Sequence, residues 1–374
     1  MGDFILFDKT AQLGKGYIIA FANRSQMLYF ILFLPKFLEM PDLLLGILAV
    51  GILSQINLFI LSKCLSSKYT QQGYHGFADL LGRRTLRIIA FAGIAFIFIK
   101  MSMIILGYAE IVHQFVFPAM QRPWIILFIL LISTYIASQG MEKTLRFGII
   151  AFLCTFWIIL LYIPYFFPPA AELHDLYPLI PTDWSHKPWK GILMVWSSLS
   201  GPEYLILVLP WINSKQKMLR YLSIANAISI LEYLLLFMAC LFFFGTTYLG
   251  KIGFPVVNMI RYLQSPVFER VEIIMISLQM FHYVFFISVL LLCLYGAIRI
   301  SAGTQYKETT RKGFYAVCLL VLAGVFLIQQ FYWREGKELS RWANVQLWSG
   351  AFTYLLIPSL LLAATKIKGR RSSL

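Results

Sequence analysis

The chain has 374 residues, of which 59% are hydrophobic and only 13% charged, with a mean hydropathy of +0.74 and a net charge of +15. A soluble domain carries about twice that charged fraction, so water cannot be the solvent for most of this surface. Lipid removes the difficulty. At about 20 apolar residues per spanning helix, the length accommodates about ten spans with short connections and no sizeable soluble domain.

The expected fold is all-α, a single membrane domain over 1–374. Apolar segments run roughly over 14–34, 43–62, 88–113, 123–138 and 145–166, then over 190–212, 221–244, 271–298, 313–331 and 344–364. The first five occupy about 14–166 and the second five about 190–364. The third and eighth exceed one membrane thickness, which predicts tilt or protrusion. Asp3 and Asp8 oppose a cleavable signal, so the first span is expected to direct insertion itself. Lys and Arg outnumber those of the opposite side about two to one in the connections that share a side with the termini. That bias predicts both termini inside. No basic stretch outside the spans is interleaved with aromatics, so the positive charge is read as loops facing lipid and not as a nucleic-acid surface.

Two connections on the outer side are long. Phe167 to Trp189 carries Pro168, Pro169, Pro178, Pro181 and Pro188, and Gly245 to Arg270 contains a stretch, Val256 to Leu263, suited to a short surface helix. Such segments either cap a site or simply connect spans. Cys64, Cys154, Cys240, Cys293 and Cys318 fall in or at the end of apolar runs, without metal-like spacing, and are expected to be buried thiols. His75, His113, His174, His186 and His282 are scattered. With no Gly-rich phosphate loop, paired-His motif or nucleophile elbow, neither cofactor nor metal nor enzymatic activity is expected.

The spans themselves carry the signal. Charge at the bilayer centre costs several kcal/mol or more unless paired or hydrated. Arg24, Lys100, Glu203 and Glu232 nonetheless fall near mid-depth, with Gln279 and His282 at similar depth in the eighth span. They imply a buried polar centre, serving either mutual pairing or a ligand. In the sixth span Ser197-Ser198-Leu199-Ser200-Gly201-Pro202-Glu203 interrupts the apolar run. Gly frees the backbone and Pro deletes a donor, so this stretch predicts a break, against the plainer reading of a proline kink. Broken backbone at membrane depth is tolerated only where it is buried in protein or lines a cavity. Its freed N–H groups can receive a carboxylate.

The first span has its own polar patch, Asn23-Arg24-Ser25-Gln26. Spans one and six open the two five-span halves, and interruptions at corresponding positions mark a transporter-like site. The candidate ligand-binding residues are therefore Asn23, Ser25, Ser200, Gly201, Pro202, Glu203, Gln279 and His282. The candidate charge network is Arg24, Lys100, Glu203 and Glu232, with Arg24 and Lys100 balancing Glu232.

Three stretches resemble one family. Phe254-Pro255, Met259-Ile260-Arg261 and Phe268-Glu269-Arg270-Val271-Glu272 follow one another before the eighth span. Ser200-Gly201-Pro202-Glu203 is followed by Leu209-Pro210, and Phe33-Leu34-Pro35 closes the first span. Together they resemble the permease-like B subunits of bacterial spore germinant receptors, the GerAB family of the amino acid–polyamine–organocation superfamily. The sequence departs from the pattern where Leu28 stands in place of a span-one Gly, and its opening motif is reduced to Thr10 to Gln12. The resemblance implies a LeuT/APC-like fold with a 5+5 inverted repeat and helices 1 and 6 unwound at the midplane. It also implies a small nutrient, often an amino acid, held there with help from spans three and eight. An A-type membrane subunit and a C-type lipoprotein would be partners in the spore inner membrane. Three functions follow: a germinant sensor, a proton-coupled amino-acid carrier using Lys100, Glu203, Glu232 and His282 as a relay, or a structural scaffold in which the charges only pair.

Overall fold

The computed structural model describes residues 6–9, 12–32, 34–38, 40–167, 176–177, 189–212, 218–263, 269–333 and 339–371. Apart from Leu176 and Tyr177, the proline-rich connection from Pro168 to Pro188 lies outside these residues, as do Thr10, Phe33, His174, His186 and Phe268.

The helices, in chain order, are α1 (Gly16–Leu32), α2 (Leu43–Leu65), the short α3 (Lys68–Gln71) and α4 (Tyr74–Leu81), α5 (Arg83–Phe115), α6 (Arg122–Ser138) and α7 (Met141–Phe156). A 3₁₀ stretch, Trp157–Phe166, prolongs α7. Then come α8 (Trp189–Ser198), α9 (Leu205–Val208), α10 (Met218–Leu249), α11 (Pro255–Arg261), α12 (Val271–Ser301), α13 (Arg311–Tyr332) and α14 (Leu339–Arg371). Among the described residues, eight segments are long and apolar enough to cross a membrane, counting α8 with α9 and their 3₁₀ turns as one. The remaining two, α1 and α6, have 17 residues each and so reach about 26 Å, short of a 30 Å core only by their flanking turns. The long third and eighth spans are α5 with 33 residues and α12 with 31.

The packing has a two-fold pattern. For most of the larger contacts in the bundle, the spans five positions away also touch. α1 lies on α10 as α8 lies on α2, and α1 lies on α7 as α8 lies on α14. α6 meets α12 as α13 meets α5, and α7 meets α12 as α14 meets α5. The pairs α2–α10 and α5–α12 map onto themselves. Five is odd, so the second half enters the bundle from the face opposite the first. The repeat is therefore inverted, although the two halves share no evident residue pattern.

The lipid-facing surface follows from composition. Ile52, Ile88, Phe91, Leu131, Leu153, Leu319 and Leu320 are exposed, while α12 is buried along most of its length. An apolar exterior without alternation in water is what a bilayer requires. The five cysteines are free thiols, buried or half-buried, as expected.

Both ends of the bundle are closed around α1 and the sixth span. On the side where α1 begins, Leu13 N–H donates to Trp211 O at 2.9 Å and the Trp211 indole donates to Asp8 O at 2.9 Å. On the opposite side, the stretch expected as a surface helix is α11. Its Val256, Val257, Met259 and Ile260 are buried, so it plugs the bundle instead of lying on it. Tyr165 donates its hydroxyl to Met259 O. Phe254, the one non-glycine residue with positive φ among the described residues (φ 53), turns the chain into this plug.

Gly148 of α7 packs against the ring of Phe285 on α12, where an added Cβ would lie 2.6 Å from ring atoms. Phe285 is itself clamped edge-on by Phe21 at 6.1 Å. Gly148→Leu is expected to cost about 1–3 kcal/mol through overpacking and lower the melting temperature in detergent. Gly93→Leu, at a position with nothing within 4 Å, should leave it unchanged.

Candidate functional site

The sixth span breaks where the sequence predicts. α8 ends at Ser198, Leu199 to Gly201 are non-helical, and Pro202–Tyr204 form a 3₁₀ turn before α9. Gly201 has φ 149, a region L side chains rarely adopt, and a Cβ there would lie 2.5 Å from Ser25 Cβ and 2.6 Å from its hydroxyl. Glycine is thus required twice, for the turn and for the close approach of α1.

The first span differs from expectation. α1 is an unbroken α-helix through Asn23–Gln26, ending at Leu32, with a 3₁₀ turn over Leu34–Phe37 at Pro35. The reason is local. No Gly or Pro follows Gly16 within α1, so nothing interrupts the hydrogen-bond ladder. Asn23, Arg24 and the Gln26 amide N–H find partners on neighbouring helices without unwinding, while Gln26 Oε1 is left without one. Three α1 carbonyls also accept bonds from side chains of other helices: Arg24 O from His282 Nε2 at 2.7 Å, Gln26 O from Tyr233, and Leu28 O from Tyr283 at 3.4 Å. Because a carbonyl only accepts, His282 carries its proton on Nε2, and its Nδ1 faces Gln279 Oε1 at 3.3 Å.

The midplane charges separate into two groups. In the first, Arg24 pairs with Glu232 on α10 at 2.5 Å, with exposures of 1% and 7%. Asn23 Oδ1 accepts from Arg24 Nε at 2.8 Å, while its amide donates to Glu232 Oε2 at 2.8 Å and Ser229 Oγ at 2.9 Å. Thr155 of α7 accepts from Arg24 Nη1 at 3.2 Å, and the guanidinium lies 5.3 Å from the Phe152 ring centroid. This network is closed on itself. Asn23, a candidate ligand contact, is consumed by it.

The second group surrounds the break. Lys100 of α5 donates to Ser200 O at 2.9 Å and Ser200 Oγ at 3.0 Å. The ring centroids of Tyr204, Tyr29 and Phe286 lie 5.1, 5.7 and 5.9 Å from its ammonium. Gly201 N–H donates to Glu203 Oε2 at 2.6 Å. The free N–H expected to meet a ligand carboxylate is therefore occupied by the protein's own carboxylate, two residues on. Glu203 Oε1 is buried without a hydrogen-bond partner.

Lys100 does not share in balancing Glu232, whose ion-pair partner is Arg24 and whose other oxygen accepts from Asn23; this departs from the expected network. Nor do Lys100, Glu203, Glu232 and His282 form one hydrogen-bonded relay, since each has its partners elsewhere. What the break does bring together is Ser25, Lys100, Ser200, Gly201, Pro202 and Glu203. His282 reaches α1 at the Arg24 carbonyl, and Gln279 lies against the His282 ring.

Sequence reasoning missed several partners. Tyr233 joins the two halves by bonding Gln26 O of α1 and Ser198 Oγ, the latter at 2.6 Å, at the end of α8. Asn226 accepts from Gln26 at 3.2 Å and from Ser54 at 3.0 Å, and Ser54 bonds the Tyr354 hydroxyl at 2.6 Å. A signal was present: Asn226, Ser229 and Tyr233 recur at i, i+3, i+7, a polar stripe along the otherwise apolar α10.

An apolar bundle of inverted five-span halves, with its sixth span broken around buried charge, is the architecture of membrane permeases. The comparisons with known proteins agree. The profile described as Spore germination protein, that of the spore permease family, matches residues 30–362. A spore germination protein of Bacillus cereus, GerQB, is 25% identical over 305 residues, covering 78% of this chain and 79% of that protein. A manganese transporter of Eremococcus coleocola superposes with a TM-score of 0.60 at 10% identity, covering 95% of this chain and 82% of the transporter. MhsT in complex with L-phenylalanine superposes at 0.53 with 14% identity, covering 96% and 99%. The fold is thus LeuT-like, and the protein is an integral membrane protein of permease type. The chain belongs to the spore permease family of spore germination proteins.

Replacing Arg24 or Glu232 alone should destabilise by about 3–5 kcal/mol, because each leaves the other charge buried and unpaired. The pair Arg24→Met with Glu232→Met should cost less than either single change. Thermal unfolding of the three variants in detergent checks this; a double variant as weak as the sum of the singles would contradict the pairing.

Proposed function

We propose that this chain is the nutrient-sensing subunit of a spore germinant receptor, binding a small molecule, an amino acid, at the sixth-span break. One observation carries the reading. The break is enclosed in protein by α1, α5 and α12, yet it retains a buried carboxylate oxygen with no partner beside a buried ammonium. A structural kink has no use for such a group, whereas a ligand's donor supplies its missing bond.

In this reading the chain acts as one membrane domain in the spore inner membrane, both termini inside, beside an A-type membrane subunit and a C-type lipoprotein. Binding signals only if it differs between two states of the bundle. The contacts of Ser25 with Gly201 and of Tyr233 with both α1 and α8 supply the coupling. They make the position of α1 depend on the conformation of the break. A proton-coupled carrier is the alternative for this fold. The separation of Lys100, Glu203, Glu232 and His282 into groups without a connecting relay weighs against it.

The test is thermal stabilisation of the purified full chain against amino acids, nucleosides and sugars. A ligand at a hundred times its Kd stabilises the native state by about 2.7 kcal/mol. The reading expects a stabilising amino acid whose effect disappears in Glu203→Gln. Stabilisation by no compound, with well-folded protein, would sink it for the isolated chain.

A further inference from the structure

Lys100 is 1% exposed and has no carboxylate within 4.0 Å among the described residues. Such a cation in the middle of an apolar bundle is costly, and removing an ion from water is offset only by good partners. An ammonium has three donors. Two bonds, to Ser200 O and Ser200 Oγ, are made, and the aromatic faces of Tyr29, Tyr204 and Phe286 provide the rest of its surroundings. Those rings attract positive charge but accept no strong hydrogen bond, and Glu203, the acidic group whose field reaches the ammonium, makes no direct contact with it.

Glu203 is the complementary case. It is 2% exposed, with Oε2 on Gly201 N–H and Oε1 unpartnered. Ser200 O and Gly201 N–H belong to the same peptide unit. The two charges therefore flank one peptide at the break, each bound to it and neither bound to the other. The closed Arg24–Glu232 group shows that opposite charges in this bundle do pair when the geometry is meant to be structural.

We propose that the ligand completes this arrangement with its own two charges. Its carboxylate is received by Lys100, and its ammonium by Glu203 Oε1. The inference rests on the nutrient site proposed at the break and fixes both its ligand class and its polarity. The carboxylate anchor is a side chain of α5, and the backbone N–H at Gly201 is not available for that task. A free amino acid carries both charges on adjacent carbon substituents and reaches both groups at once. A sugar or nucleoside satisfies Oε1 but leaves Lys100 without a carboxylate in direct contact, and an amine does the same. Selectivity for zwitterions then follows from charge placement alone.

The experiment measures binding of the common L-amino acids, and of the primary amide of each that binds, to the full chain in lipid nanodiscs. The wild type, Lys100→Met, Lys100→Gln and Lys100→Arg are compared. Amidation removes the negative charge and keeps the ammonium. In the wild type, the acid should bind about tenfold or more tighter than its amide, the size of a charged hydrogen bond. In Lys100→Met and Lys100→Gln that preference should disappear through loss of acid affinity, while Lys100→Arg keeps part of it. Melting curves report whether each variant is folded, and either neutral variant suffices. Wild-type discrimination that persists in a folded neutral variant would overturn the role of Lys100 and leave the nutrient site standing. Failure of the wild type to bind any amino acid would overturn both.

Discussion

A helix broken in the middle of a membrane bundle must have its freed peptide groups satisfied without water, and the centre of this protein is built around that constraint. The break at Leu199–Gly201 leaves a carbonyl and an N–H that no helix ladder uses. α5 brings an ammonium to the carbonyl, and the chain itself returns Glu203 to the N–H. Because both partners are ionisable, satisfying the backbone places a basic and an acidic side chain at mid-depth. The functional potential of the site is thus a consequence of how the break is stabilised.

The same constraint fixes the neighbouring helices. Gly201 admits α1 so closely that Ser25 sits where a side chain would be, and Tyr233 then ties α1 to the end of α8. Arg24, one residue from Ser25, has its charge cancelled by Glu232 and its carbonyl covered by His282. α1, α8 and α10 are therefore tied to one another, and His282 and Tyr283 tie α1 in turn to α12. The inverted repeat explains why the sites of greatest polarity lie on the first span of each half, while the aromatic rings around Lys100 come from both halves. Closure at both ends, by Leu13 with Trp211 and by the α11 plug, places this centre in an occluded arrangement.

Much of this was legible in the sequence, for physical reasons. Charges in apolar runs are conspicuous, so Arg24, Lys100, Glu203 and Glu232 announced a buried polar centre. Gly-Pro inside a span announced the break, and the Val256 to Leu263 stretch announced a short helix, although not its burial as α11. The continuity of α1 was not legible, because a polar patch unwinds a helix or pairs across a bundle depending on what faces it. Partners on distant spans decided the matter. Tyr233, Thr155 and Ser54 escaped notice because hydroxyls in an apolar background carry no charge and cost little when exposed to solvent in an unfolded chain. The pairing of Arg24 with Glu232 in preference to Lys100 likewise depends on which helix faces which, something spacing along one chain does not encode.

The most direct measurement is photo-crosslinking of a diazirine-bearing amino acid to the full chain in a bilayer, followed by mapping of the modified peptides. The account predicts adducts in α5 around Lys100 and in the Leu199–Tyr204 segment, suppressed by unlabelled amino acid. Adducts confined to the open groove of about 690 Å³ between Lys63 and Arg220, at the ends of α2 and α10, would contradict it.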